Sequence, residues 1–289
     1  MKLSVIIVSY NVQYFLEQCL YSVYGAIKNN DIEIIVLDNN SADNSVKMLS
    51  EKFPDIYLIE NKTNSGFSVA NNQAIKIAKG EYILLLNPDT IVEPDTFEKT
   101  IAFMDAHNEA GALGVKMLNG EGDFLPESKR GLPTPLVAFY KLSGLSTLFP
   151  KSKVFNNYNL GFLDDNKIHQ VDILAGAFML IRKSVLEMVG LLDEKFFMYG
   201  EDVDLSYRII LAGYKNYYFP ETKIIHYKGK STNKNSVNYI FHFYKAMLIF
   251  SKKHFSKSNK LLFFIFIYPS VYLQIVIASV PRLFKSNKA

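Results

Sequence analysis

The side chains of this chain best suited to chemistry stand just after apolar runs. Asp38 closes one such run, Asp89 follows Asn87-Pro88 after another, and Glu201-Asp202 comes directly after Phe196-Phe197-Met198-Tyr199-Gly200. A set of carboxylates at strand ends, with no cysteine beside it, suits a hard cation such as Mg2+ or Mn2+, which takes oxygen ligands and often bridges to a diphosphate. Asn11 and Asn64 fall at equivalent points along the chain. The single cysteine, Cys19, lies in an apolar helical pattern, which fits a buried thiol better than a nucleophile. One cysteine also excludes a disulfide framework, a Cys-based zinc finger and an iron–sulfur centre. His107, His169, His242 and His254 show no ligand spacing.

Elements that would position these residues are legible in the first ninety residues. Leu3 to Ser9 is a continuous apolar run of strand length, the mark of a strand covered on both faces. Phe15, Leu16, Cys19, Leu20 and Val23 recur with helical spacing, and a second strand-like run covers Ile32 to Leu37. Asn40 to Asp43 reads as a loop and helix cap before Val46, Met48 and Leu49. Ile56 to Ile59 predicts a third strand, Val69 to Ala78 a helix ended by Gly80, and Tyr82 to Leu86 a fourth strand. Strands alternating with helices predict an α/β domain with a mainly parallel sheet, whose ligands bind at the carboxyl ends of the strands. Asn11, Asp38, Asn64 and Asp89 all belong to that end. From Asn119 to about Lys167 periodicity is poor and four prolines intervene, predicting a long, partly mobile connection that shapes a second substrate site. Order returns at Val171 to Arg182, with helices predicted near Ser184 to Val189 and over Glu201 to Ala212.

The chain has 289 residues, 49% of them hydrophobic and 21% charged, which fits a folded protein with a sizeable core. Its net charge of +4 conceals an asymmetry: residues 1–221 carry 20 basic and 28 acidic side chains, a balance of −8, and residues 222–289 carry 12 basic and none acidic. An acidic folded part is a poor match for nucleic acid. Gly229-Lys230-Ser231-Thr232 imitates the end of a Walker A loop, but the required first glycine falls on Ile224. No Gly-x-Gly-x-x-Gly follows the first strand, and there is no Gly-x-Ser-x-Gly elbow. The start of the chain lacks a cleavable signal pattern, so cytosolic synthesis is expected. Leu261 to Val280 is a 20-residue stretch with few polar interruptions, flanked by lysines and Arg282. Twenty residues reach the thickness of a hydrocarbon core and the cations fit anionic membrane lipids, while Pro269 at the middle favours a kinked or interfacial arrangement. A helical cap buried against the rest of the protein is the alternative.

The residues quoted so far sit within longer motifs: Val8-Ser9-Tyr10-Asn11, Asp38-Asn39-Asn40-Ser41, Asn64-Ser65-Gly66-Phe67-Ser68 with Asn71-Asn72, and Asn87-Pro88-Asp89. Further on come Gly176-Ala177-Phe178, Tyr199-Gly200-Glu201-Asp202-Val203-Asp204-Leu205 and His226-Tyr227-Lys228-Gly229-Lys230-Ser231. Together, over residues 3 to about 232, they resemble a family 2 glycosyltransferase, closest to the bacterial rhamnosyltransferase-like branch. The resemblance implies a nucleotide-diphospho-sugar transferase fold of GT-A type, Rossmann-like with a mainly parallel central sheet, followed by C-terminal apolar helices. It implies a catalytic domain at 1–235, with a nucleotide-sugar half at about 1–118 and an acceptor half at about 119–235. A basic, membrane-associating tail would occupy 236–289.

By the same resemblance, Asp38 would accept hydrogen bonds from the donor's base, in a donor site formed with Ser9, Tyr10, Asn11, Asn40, Asn64, Gly66, Asn71 and Asn87. Asp89 matches the last acid of a metal-binding Asp-x-Asp motif whose first acid is here Asn87, and His226 resembles a histidine that ligates the metal or contacts the diphosphate. The metal would be Mg2+ or Mn2+. Asp202 matches the catalytic base, with Glu201 beside it, and Gly176, Ala177 and Tyr199 would face the acceptor. One displacement with inversion needs no covalent intermediate. The expected reaction moves a sugar, rhamnose by the branch resembled, from a nucleotide-diphospho-sugar to a saccharide or polyprenyl-linked acceptor in cell-surface polysaccharide synthesis. The expected location is the cytoplasmic face of the plasma membrane. A nucleotidyltransferase and a non-catalytic sugar-nucleotide-binding scaffold at the membrane stand as alternatives. Asp38 and Asp89 also suit loop and helix caps, and Asp204 suits a helix N-terminus.

Overall fold

A computed structural model of the chain describes residues 1–28, 31–229 and 237–255. Its centre is a sheet whose strands run, in chain order, β1 Leu3–Ser9, β2 Ile32–Asp38, β3 Tyr57–Glu60, β4 Tyr82–Leu86, β5 Thr90–Val92, β6 Ala110–Leu118, β7 His169–Val171, β8 Phe178–Arg182 and β9 Lys215–His226. The spatial order is β3-β2-β1-β4-β8-β6-β9-β5, with β7 also on β9. All seven residues of β1 are buried, as its unbroken apolar run requires. Leu3, Val5 and Ile7 enter one core with helices α1 (Gln13–Ala26), α2 (Ser45–Lys52) and α4 (Thr96–Ala106). Ile6 points the other way, into a second core with α3 (Phe67–Ile77), α7 (Lys183–Val189) and α8 (Glu201–Leu211). The period of two along the strand thus makes a three-layer α/β/α arrangement.

β1 pairs in parallel with β2 and β4, and β2 with β3, as the alternation predicts. Beyond β4 the sheet is mixed. β8 runs antiparallel to β4 and β6, β5 and β7 run antiparallel to β9, and β6 and β9 are parallel. An antiparallel strand such as β8, buried over its first four residues, reads as the same apolar run as a parallel one, so periodicity alone cannot separate them.

The stretch over 119–168 carries short elements: a 3-10 turn at Pro126–Ser128, α5 at Pro135–Leu142 capped by Thr134, and α6 at Leu145–Leu148. Lys129, 1% exposed, holds it in place by donating to the carbonyls of Leu160 and Leu163 and pairing with Asp165.

The last described element, α9 (Val237–His254), lies on the start of α8, where Ala246 and Phe250 pack with Ile173, Phe196 and Val203. A buried carboxylate fastens it. Asp204 accepts from His254 Nε2 at 2.7 Å and Arg208 Nε at 2.8 Å, and lies 2.8 Å from Lys253 Nζ. Burial alone would raise the Asp204 carboxyl, but the hydrogen bonds from His254 and Lys253 and the charge of Arg208 outweigh it and hold the group down at about 2. Among the described residues no helix is long and apolar enough to cross a membrane. The apolar stretch at 261–280 lies outside the described residues.

Candidate active site

The register of the sheet brings the sequence motifs to one end. Ser9 and Asp38 are paired partners at the ends of β1 and β2, and Ile7 pairs with Leu86, so Asn87 emerges beside them. Asp38 Oδ2 accepts the Ser41 N–H at 2.8 Å, while its Oδ1 and the Ser9 hydroxyl are buried without a partner. A buried orphan acceptor at a strand end is a group awaiting a donor. Asn11 and Asn40 take left-handed backbone angles, φ 53° and 68°, which asparagine tolerates better than most residues. Asn11 ties the two loops together: its Oδ1 accepts from Ala42 N and its N–H donates to Ser41 Oγ.

Asn39 is the hub of the next loop. Its Oδ1 accepts from Asn61, from the Ser65 N–H and from the Ser65 hydroxyl, and its Nδ2 donates to Asn64 Oδ1 at 3.0 Å. Gly66, at φ 85°, has no room for a side chain, since a Cβ would lie 2.7 Å from the Phe197 carbonyl oxygen. Phe67 N–H donates to that same oxygen at 2.7 Å, fixing the loop against the segment that precedes α8.

Asp89 and His226 meet because β5 pairs with β9, Thr90 opposite His226. His226 Nε2 lies 3.3 Å from Asp89 Oδ1, both side chains are buried, and His226 Nδ1 has no hydrogen-bond partner. Cys19 lies close by with its sulfur 3.7 Å from the Asn87 carbonyl oxygen. Burial pushes its thiol up to about 12, which fits the expected inert role.

The first turn of α8 supplies the remaining carboxylates. Gly200, with φ 85°, turns the chain into the helix. Asp202 accepts the Gly176 N–H at 3.2 Å, the Val203 N–H at 2.8 Å and Arg130 Nη2 at 2.6 Å. Burial opposes the charge of Arg130, but Asp202 and Tyr158 more than offset it and keep the guanidinium firmly protonated. Glu201 is buried with Oε2 unpartnered; desolvation, then the charge of Asp202, push it up to about 8. The two adjacent carboxyls therefore differ in kind, Asp202 held by donors and Glu201 desolvated.

A cleft of about 400 Å3 gathers these groups. Of the residues expected from sequence, Tyr10, Asn64, Gly66, Asn87, Gly176, Ala177, Tyr199, Glu201, Asp202 and His226 line it. Ser9, Asp38 and Asp89 are buried behind the wall at the same strand ends, and Asn11 and Asn40 shape the adjoining loops. Asn71 stands apart, buried inside α3 with its amide donating to the Phe67 carbonyl. Sequence reading missed Arg130 and Lys141, which line the cleft from the aperiodic stretch where no spacing marks a cation. It also passed over Asn39 as a site residue, although that side chain sits between two quoted motifs. Lys141 Nζ lies 3.8 Å from the Tyr158 ring centroid and 3.4 Å from Asn159 Oδ1. Burial, then the nearby Arg130 and Lys228 charges, draw it down to about 8.

Known proteins are similar to this chain in sequence and in fold. The chain is 28% identical over 259 residues to the N-acetylglucosaminyl-diphospho-decaprenol L-rhamnosyltransferase of Mycobacterium tuberculosis, spanning 86% of this chain and 83% of that one. It is 28% identical to the rhamnosyltransferase WbbL of Escherichia coli K12, spanning 77% and 82%. Among solved structures, S. aureus TarS 1-349 superposes with a TM-score of 0.60 at 19% identity, covering 96% of this chain and 79% of that one. The mannosyltransferase PcManGT from Pyrobaculum calidifontis, in complex with GDP-Man and Mn2+, superposes with a TM-score of 0.59 at 18% identity, covering 100% and 75%. At those identities the structures speak for the fold, which is GT-A-like with a mixed sheet. The sequence model of Glycosyl transferase family 2 matches residues 4–190, nearly two thirds of the chain. The chain belongs to glycosyltransferase family 2 and is a glycosyltransferase.

Proposed function

We propose that this enzyme moves a sugar, with rhamnose the first expectation, from a nucleotide-diphospho-sugar to a lipid-linked saccharide, inverting the anomeric centre, in the assembly of a cell-surface polysaccharide. The observation that carries this reading is the convergence of two kinds of group on one cleft. Asn87 and His226 line it, with Asp89 buried beside His226, and the Glu201-Asp202 turn of α8 lines it too. Residues 1–118 would hold the donor and 119–235 the acceptor. The two rhamnosyltransferases similar to this chain support the sugar, and the name of the mycobacterial one supports a polyprenyl-diphosphate acceptor. Peripheral attachment at the cytoplasmic face of the membrane would follow from such an acceptor.

In this reading Asp38, with its unpartnered oxygen, receives the donor's base, and Tyr10, Asn64 and Gly66 line the donor's path. Asp202 takes the proton of the acceptor hydroxyl as that oxygen attacks the anomeric carbon from the face opposite the diphosphate. Gly176 N–H and Arg130 orient the carboxylate for this task. A carboxylate is a weak base for an alcohol, so holding the two substrates in line supplies much of the acceleration. Asp89 and His226 suit a divalent cation: a carboxylate and an imidazole side by side, with a ring nitrogen unpartnered. Among the described residues no third such side chain joins them, so oxygens of the donor's diphosphate and water would complete the coordination. When bound, Mg2+ or Mn2+ would offset charge on the departing diphosphate.

The test is nucleoside diphosphate release from a panel of nucleotide sugars, with Mg2+ or Mn2+ and with EDTA, in the presence of a lipid-linked acceptor. Cation-dependent release from one donor, dTDP-rhamnose first, is the expected result. No release from any donor, with no donor binding by calorimetry, would sink the reading.

A further inference from the structure

A second cavity, of about 310 Å3, opens beside the first. The two share Arg130, Lys141, Tyr158, Glu201 and Asp202, so the shared wall forms a junction at the catalytic turn. From there the second cavity runs between α5 and α9. Pro133, Pro135 and Ala138 form one side, and Met247 and Phe250 the other. These are hydrocarbon walls, unsuited to a saccharide, whose hydroxyls need polar partners when they leave water. Charge gathers only at the junction. There Arg130 is paired with Asp202, and no carboxylate lies within ion-pair distance of Lys141 among the described residues. A cation with no carboxylate partner, beside a guanidinium, suits an anion with several oxygens. Reading from one end to the other, the order is apolar channel, cationic junction, catalytic carboxylate.

We propose that the second cavity holds the first isoprene units of a polyprenyl-diphosphate-linked acceptor, with Lys141 and Arg130 taking its diphosphate and the sugar projecting into the cleft at Asp202. The assignment rests on the glycosyl transfer proposed above for the meaning of the ligand, but not for its detection. The cavity and its mouth match the ligand in linear order: chain, then two phosphates, then sugar. Lys141 and Ala138 sit one turn apart on α5, so a single helix presents both the cation and part of the hydrocarbon wall.

The experiment uses the full chain in detergent and three probes: farnesyl diphosphate, farnesol and inorganic pyrophosphate, measured by calorimetry. Farnesyl diphosphate should bind at least tenfold more tightly than either fragment. Ala138→Trp, which fills the channel, should bring it to the level of pyrophosphate, and Lys141→Met to the level of farnesol, with Lys141→Arg recovering most of the loss. Met247→Gln, on the opposite wall, gives a second route if the tryptophan variant does not fold. Equal binding of farnesyl diphosphate and pyrophosphate would overturn the assignment, as would an Ala138→Trp variant that binds farnesyl diphosphate like the wild type. A rise in KM for the nucleotide sugar in Lys141→Met, without loss of farnesyl diphosphate binding, would hand that lysine to the donor and overturn it too. The two readings fail separately. Farnesyl diphosphate binding without hydrolysis of any nucleotide sugar sinks the transfer, and the reverse sinks the channel.

Discussion

Replacing Glu201 by glutamine should make the protein more stable, and increasingly so as pH rises. The Glu201 side chain is buried with one oxygen unpartnered, and burial together with the neighbouring Asp202 raises its carboxyl from 4.5 to about 8. A carboxyl whose value is raised by folding favours the folded state fully below its unfolded value and loses that contribution as pH climbs through the folded one. The gap, at 1.36 kcal/mol per pH unit, sets a ceiling of about 5 kcal/mol on the penalty of ionising it in place. Water in the open cleft screens part of this, leaving roughly 2–3 kcal/mol. Glutamine has nearly the same shape and does not titrate. At pH 5 the variant and the wild type should melt within a few degrees of each other. At pH 9 the variant should melt about 5–10 °C higher, at roughly 2–4 °C per kcal/mol for a domain of this size. Thermal melts followed by circular dichroism from pH 5 to 9 read the trend directly. A difference in Tm that stays constant across that range would refute a buried, neutral Glu201.

Three further outcomes follow from the same geometry. Asp202→Asn should lower kcat by roughly 10^2–10^4-fold with nucleotide-sugar binding retained, and a variant keeping more than a tenth of wild-type turnover would remove Asp202 as the base. Asp204→Asn should lower stability to urea by about 3 kcal/mol near neutral pH, because Arg208, Lys253 and His254 lose a buried anion. The folded carboxyl titrates at about 2, below its ordinary 3.8, so its contribution is complete above pH 4 and fades as pH falls through 2. A urea midpoint for Asp204→Asn that matches the wild type at pH 7 would count against the clamp. Gly66→Ala places a Cβ against the Phe197 backbone at φ 85° and should lose about 1–3 kcal/mol, seen as a lower Tm; an unchanged Tm would show that the loop moves freely there.

The first ninety residues were legible because their signals are local. Continuous apolar runs marked β1, β2 and β4, and short polar residues after each run marked the strand ends where the cleft opens. Asn71 shows the limit of a motif: its position in the sequence suggested ligand contact, while its amide serves α3. What stayed hidden depends on long-range pairing. The 12 residues of β9 include Pro220 and alternate imperfectly, since the strand shifts register against β6 between Val115 and Lys116. Yet β9 delivers His226 to Asp89. Arg130 was illegible for a related reason, because its partner Asp202 is 72 residues away and Arg130 itself lies in the stretch of poor periodicity that starts at Asn119. The role of Asp204 was half legible. Its place in the first turn of α8 signalled a structural carboxylate, but the partners on α9 could not be read from spacing.

The Asp204 clamp also acts as a mechanical linkage. Phe255 ends the described chain immediately after Lys253 and His254, both of which grip a carboxylate two residues from Asp202. Any pull exerted on the chain beyond that point enters the protein through this grip and is delivered, about 3 Å along the helix axis, to the turn that bears the proposed base.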